Sequence, residues 1–368
     1  MGATRATEAT ARGLSMRRRV LLVATVVAGL LGMTVATHPQ AALYSVSLLN
    51  DVPHGVLLLC ALLLVGNEFL KGARWALFLR AGRVRIGLWD AISTHIASQA
   101  INVLPANEWL AARLVDEHRN GTRRPQMAQA TPAIILRWIC DVIALACIAT
   151  VGVAYYRGFT PMTLLPVPVV VAVAALLRAK RPARWIARRL AQWGRTRGLV
   201  RSETQFHRAA VLLIQPRTLL AGVALSCCTT GVAALTLYAL ARSTGSDAFG
   251  LPQALVTQAL AALAAMFSFI PNGFGVIDGS IAGWMYAFGV GVGELTFVTV
   301  AVRLLNIVVR TACGIAMVLT RYRFLWAGGG RQFLRRMLRG EMPASPLVPV
   351  VVPAPVPVAA PRKSRKRG

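Results

Sequence analysis

The chain has 368 residues, 56% of them hydrophobic and only 15% charged, with a mean hydropathy of +0.57. A soluble globular chain carries about 25% charged residues, so these values exclude an ordinary soluble enzyme. The 41 basic against 13 acidic residues do not indicate nucleic acid, because the basic residues cluster between apolar runs, as they do where cytoplasmic loops are positive.

Residues 1–19 are a basic segment ending in Arg17, Arg18 and Arg19. The apolar run 20–36 is long for a signal-peptide core and no Ala-x-Ala cleavage site follows it, so a retained first helix is expected. Further spans are expected at 55–76, 132–155, 161–177, 217–241 and 294–320, each close to the roughly 20 apolar residues that cross a bilayer. Two apolar regions do not fit single spans. Residues 88–112 contain Ile101-Asn-Val-Leu-Pro-Ala106 and suffice for half a crossing and back. They predict a re-entrant hairpin with Pro105 at its tip. Residues 251–291 contain Ile270-Pro-Asn-Gly-Phe-Gly-Val-Ile-Asp-Gly279 and predict either a longer hairpin or two short spans. The expected fold class is all-α: a polytopic helical membrane domain over 20–320 with six to eight spans and one or two re-entrant hairpins. Backbone broken within a bilayer must be buried in protein or line a wet cavity, and paired breaks in two halves mark transporter-like sites.

Charge sets the sides. Arg17–Arg19, the Arg80, Arg83 and Arg85 segment, the Arg113–Arg124 segment, the basic block 178–201 and the tail 321–368 fall on one side, expected to be cytoplasmic, as are both termini. Only Arg157 and Arg242 face out. Residues 20–155 and 161–320 then run in opposite senses, the pattern of an inverted repeat. The 178–201 block, with Trp185, Ile186, Leu190 and Trp193 among its arginines, reads either as an interfacial amphipathic helix or as a solvated linker. The Pro/Val-rich tail ends in a basic run suited to anionic lipid.

Ionisable residues at membrane depth are costly and are functional candidates. Arg137 and Asp141, four apart on one helix, can pair. Glu68, Lys71 and Arg74 near the end of the second helix are explained by local pairing and snorkelling. Arg303, Asn306 and Arg310 form one stripe, and Arg303 lies too deep to snorkel, so it needs an anion: Asp278, Asp141 or a lipid phosphate. Gly273 and Gly275 allow a tight turn or close approach before Asp278, where exposed N–H groups can hold an anion. The six cysteines lie in apolar runs without Cys-x-x-Cys spacing, and the five histidines share no helical face with a carboxylate, so no metal site is expected.

At these residues the chain resembles the flippase-like membrane domain of the lysylphosphatidylglycerol synthases. The resemblance runs from Trp75 to Arg310. It rests on Asn102, Pro105 and Arg113 around the first break, Asp141 on a helix, Pro271, Gly273, Gly275 and Asp278 at the second break, and Arg303 on the last helix. The chain departs from that pattern at Asn107, Trp109, Leu110, Arg137, Trp138 and Ile277, where the family often carries other residues. With about 50 residues after its last helix, the chain is expected to lack the aminoacyl-transferase domain of the synthases.

The resemblance implies a multi-pass protein of the cytoplasmic membrane that binds or moves an anionic, polyprenyl-phosphate or hopanoid-type lipid and is not an enzyme. The candidate site is Asn102, Pro105, Arg113, Arg137, Asp141, Pro271, Gly273, Gly275, Asp278 and Arg303. No cofactor is expected and no nucleotide-binding motif is present. Two other readings stay open: a non-transporting partner of a lipid or glycan synthesis complex, and a membrane enzyme using Glu108, Asp116, Glu117 and His118.

Overall fold

The computed structural model describes residues 52–101 except 85, 110–115 except 113, 127–157, 215–268, 273 and 275–322. The expected spans 20–36 and 161–177, the 178–201 block and nearly all of the tail lie outside the described residues. Among the described residues seven α-helices are delimited, in order: α1 (His54–Ala81), α2 (Leu88–Ser98), α3 (Met127–Arg157), α4 (Pro216–Ser243), α5 (Leu251–Ser268), α6 (Val276–Ala287) and α7 (Val292–Arg321). A short 3-10 turn, Gln99–Ile101, extends α2. No strand occurs among the described residues. Five helices are long and apolar enough to cross a membrane: α1, α3 over Pro132–Tyr156, α4, α5 and α7. This is a multi-pass helical membrane protein.

The spans expected at 55–76, 132–155, 217–241 and 294–320 coincide with α1, α3, α4 and α7. α1 runs five residues further than expected, to Ala81, and stops for a local reason. Arg83 adopts a left-handed φ of +62°, which turns the chain so that Val84 N–H reaches Leu79 O at 2.8 Å and Arg83 N–H reaches Arg80 O at 2.9 Å, a Schellman closure. α4 ends the same way. Gly245, at φ +83°, places Ser246 N–H on Ala241 O and its own N–H on Arg242 O. Glycine does this without strain, whereas arginine in that region costs about 1–2 kcal/mol.

α1 and α4 are each 28 residues long and lie side by side, antiparallel. Cys60 Sγ, near the start of α1, is 3.8 Å from Thr236 O near the end of α4. Arg74 meets Ser226 further along, and Gly222 abuts Phe78 near the end of α1. Bilayer helices gain nothing by hiding apolar surface from lipid, so they associate through small residues and polar contacts such as these. The apolar side chains of Leu58, Leu62, Leu220, Leu304 and Val308 remain on the outside.

Apart from the two pairs that α6 makes with α5 and α7, the packed pairs among the described helices respect an exchange of α1 with α4, α2 with α5 and α3 with α7. α2 lies against α1 and α7, while α5 lies against α4 and α3; α3 touches α1 and α4, while α7 touches α4 and α1.

Phe249, just before α5, and Phe288, just after α6, have ring centroids 6.3 Å apart. Ala111, Ala112 and Val115, beyond the first break, pack with Trp75, Phe78 and Ile134. Helix α5 has 18 residues and α6 only 12, or about 27 Å and 18 Å at 1.5 Å per residue. Of the two, only α5 is long enough to cross.

Candidate functional site

Helix α7 carries the two arginines around which the site is built. Arg303 lies eleven residues from the start of α7 and Arg310 eleven from its end, each about 16 Å in. Each meets one of the interrupted segments.

At the second break, Gly275 has φ +78° and caps α6; its N–H donates to Asp278 Oδ2 at 3.1 Å. A carboxylate at the third helical position reaching back to the cap satisfies an otherwise unpaired donor and complements the helix dipole. The other oxygen, Oδ1, is 3.8 Å from Arg303 Nε. Asp278 itself therefore occupies the helix start that the sequence had offered to an outside anion. Gly273, buried at φ +59°, leaves no room for a side chain: a Cβ would lie 2.7 Å from both Ala265 Cβ and Ile277 Cδ1. Of the two uses expected for these glycines, Gly275 serves the turn and Gly273 serves both turn and close approach.

At the first break, α2 runs antiparallel to the last third of α7. Asp90 pairs with Arg321, and Ser93 Oγ and Tyr322 Oη are 2.9 Å apart. At the far end of α2, Arg310 donates through Nη2 to Gln99 Oε1 at 3.1 Å. Arg310 Nε also sits 3.0 Å from Glu68 Oε1 of α1. Glu68 is 1% exposed. The same Oε1 accepts from Lys71 Nζ at 2.7 Å, while Oε2 faces His95 Nε2 of α2 at 3.4 Å.

A third group joins α1, α3 and α4. Arg74, 1% exposed, grips Asp141 with both terminal nitrogens and also donates to Ser226 Oγ. Arg137 Nε is 3.8 Å from Asp141 Oδ2. A bidentate arginine–carboxylate contact is the stronger geometry, so the principal partner of Asp141 is Arg74, and the pairing expected from the four-residue spacing with Arg137 is secondary.

Of the residues expected from sequence, Arg137 with Asp141 and Asp278 with Arg303 are brought together, and Gly273 and Gly275 shape the second break. Asn102, Pro105, Arg113 and Pro271 lie outside the described residues, as do Glu108, Asp116, Glu117 and His118. Local pairing accounts for Lys71 with Glu68 but not for the rest of that group. Glu68, His95, Gln99 and Arg310 converge from three helices, and Arg74 is buried rather than snorkelled. A signal for this was present: Ser93, Thr94, His95, Ser98 and Gln99 crowd an otherwise apolar segment, and all five are buried. Polar side chains at that density in a membrane segment require partners.

Residues 19–314 match the family described as the lysylphosphatidylglycerol synthase TM region. The chain belongs to this family. The match spans all seven described helices except the last turns of α7, so the lysylphosphatidylglycerol synthase TM region contains both breaks and all three charged groups. No curated protein and no solved structure matches the chain.

Proposed function

We propose that this protein binds the phosphate-bearing headgroup of an anionic or polyprenyl-type lipid between its two interrupted segments and carries it from one leaflet of the cytoplasmic membrane to the other. The observation that carries the reading is the charge at membrane depth. Away from the helix ends, among the described residues, Lys71, Arg74, Arg137, Arg303 and Arg310 face Glu68, Asp141 and Asp278. Five cations against three carboxylates in a low-dielectric setting favour an anionic ligand. The arginines of α7 stand at the inner ends of both interrupted segments, where a headgroup entering from either side would meet them. Both segments are re-entrant hairpins in this reading, the two halves form an inverted repeat, and the termini are cytoplasmic. The synthase family membership supports lipid as the ligand class.

Arg303 is the residue to test. It faces Asp278 at 3.8 Å, and a guanidinium presents the planar fork that matches phosphate oxygens. Mass spectrometry of the lipids retained by detergent-purified protein should find one phospholipid or polyprenyl-phosphate lipid enriched in the wild type. That enrichment should fall at least about tenfold in Arg303→Ala, the equivalent of about 1.4 kcal/mol of binding. Bulk membrane lipid in both samples would reduce Arg303 to a structural ion pair. One observation favours a second reading, a non-transporting partner of a lipid or glycan synthesis complex: each of the three carboxylates is already engaged by the chain's own cations. Co-purification with a synthase, with no lipid movement in proteoliposomes, would establish that reading instead.

A further inference from the structure

The two oxygens of Glu68 are used differently. Oε1 takes Lys71 and Arg310. Oε2 faces His95 Nε2 at 3.4 Å, and neither of these buried atoms makes a hydrogen bond. The side chains of Glu68 and His95 are 2% and 3% exposed, those of Lys71 and Arg310 17% and 16%. The cations therefore stand toward the open side and the carboxylate–imidazole pair lies behind them. The charged groups that act on the imidazole are Glu68 and Lys71 from α1 and Arg137 from α3, while Arg310 and Cys313 from α7 act on Glu68. Asp90, at the outer end of α2, is held by Arg321 next to Tyr322.

We propose that Glu68 and His95 form a proton-binding pair, and that the proton they hold is taken up together with a phosphate-ester anion received by Lys71 and Arg310. The inference deepens the lipid-handling reading and rests on it. A proton from water, placed on His95 Nε2, gives an N–H directed across the 3.4 Å gap to Glu68 Oε2. The imidazolium then supplies the positive charge that a buried carboxylate requires. Oε1 no longer needs two cations, and Arg310 and Lys71 become able to bind phosphate oxygens, Arg310 in the two-pronged manner a guanidinium favours. When the anion leaves, Arg310 and Lys71 return to Glu68 and the proton is released. Each ligand strengthens the other's binding by the same factor, as linkage demands. One proton moving with one monoanionic headgroup is a neutral cargo, which removes most of the cost of carrying charge through the bilayer.

The test is calorimetric titration of the full-length protein in detergent, near neutral pH, in several buffers that differ in ionisation enthalpy. The probes are dioctanoylphosphatidylglycerol and, separately, glycerophosphoglycerol, which has the same phosphodiester without acyl chains and does not itself titrate near neutral pH. The dependence of the heat on buffer counts the protons. Wild type should take up about one proton per anion bound. Uptake with the lipid alone assigns the site to a headgroup, and uptake with both assigns it to any phosphate ester. His95→Gln should bind the anion without proton uptake. Glu68→Gln, which leaves Lys71 and Arg310 without their carboxylate, should bind about tenfold more tightly, also without uptake. If His95→Gln does not purify as a folded protein, wild type and Glu68→Gln decide. Binding without proton uptake in wild type, or uptake persisting in either variant, overturns the proton pair and leaves the lipid reading standing. Failure of wild type to bind either anion overturns both.

Discussion

The costliest residue to place in this protein is Arg74. Its side chain is almost wholly buried, it grips Asp141 with both terminal nitrogens, and it also holds Ser226, so three helices depend on one guanidinium. Removing it leaves Asp141 with Arg137 alone, 3.8 Å away. Breaking a buried pair by deleting one member typically costs about 3–5 kcal/mol. Arg74→Ala should therefore lower the unfolding midpoint in detergent sharply. Arg242→Ala should leave it within error: Arg242 and Asp247 also pair, but their side chains are 45% and 86% exposed, and such pairs contribute about 0–1 kcal/mol. Equal shifts for the two variants would show that burial is not what sets the contribution of Arg74. The sequence made part of this legible. The four-residue spacing of Arg137 and Asp141 and the three-residue spacing of Glu68 and Lys71 are properties of one helix, and both contacts occur. Arg74 with Asp141, Arg310 with Glu68 and His95 with Glu68 each join different helices. Such meetings depend on how helices are rotated against one another, which no spacing within a helix encodes.

Helix α2 is too short to cross a bilayer, and its position is set by α1 on one side and α7 on the other. Asp90 pairs with Arg321, Ser93 meets Tyr322, Gln99 takes Arg310, and Gly314 packs against the backbone of Gln99 and Ala100 so tightly that any side chain there would overlap it. Four contacts along one side make α2 and its 3-10 turn a unit seated on α7. Small residues that let backbones approach are the usual means of such seating in membranes. Gly314→Leu should lift the turn off α7 and expose the amides of residues 88–101 to hydrogen exchange, while α6, which touches α7 elsewhere, keeps its protection. Unchanged exchange in α2 would show that the polar contacts alone hold it. That 88–112 does not hold one full-length span was expected from its sequence, and α2 indeed ends at Ser98; Pro105, the expected tip, lies outside the described residues. The seat of α2 was not legible, because a glycine within an apolar run looks the same whether it faces lipid or another backbone.

The arrangement of the whole molecule gives it two chemically different ends. Because α1 and α4 are antiparallel and α2 begins beside the end of α7, one end of the bundle collects Arg80, Arg83, Arg217 and Arg321, with Asp90 as their acidic neighbour. The opposite end holds His54, the Arg242–Asp247 pair and Glu294, which accepts a hydrogen bond from Ser246. Sequence reading assigned these loops to sides by charge alone, and the antiparallel packing independently puts the same loops together. Retention of positive loops on the cytoplasmic side predicts the absolute orientation: the strongly basic end inside and the Asp247 end outside. Cysteine labelling with a membrane-impermeant reagent tests this directly, in a background where the six native cysteines have been replaced. Asp247→Cys should react in intact cells, and Arg83→Cys only once the membrane is opened. The reverse pattern would place the basic end outside. Labelling of both in intact cells would contradict the antiparallel α1–α4 pair itself, since Arg83 follows the end of α1 and Asp247 the end of α4, and antiparallel helices that both cross the membrane must put those two residues on opposite sides.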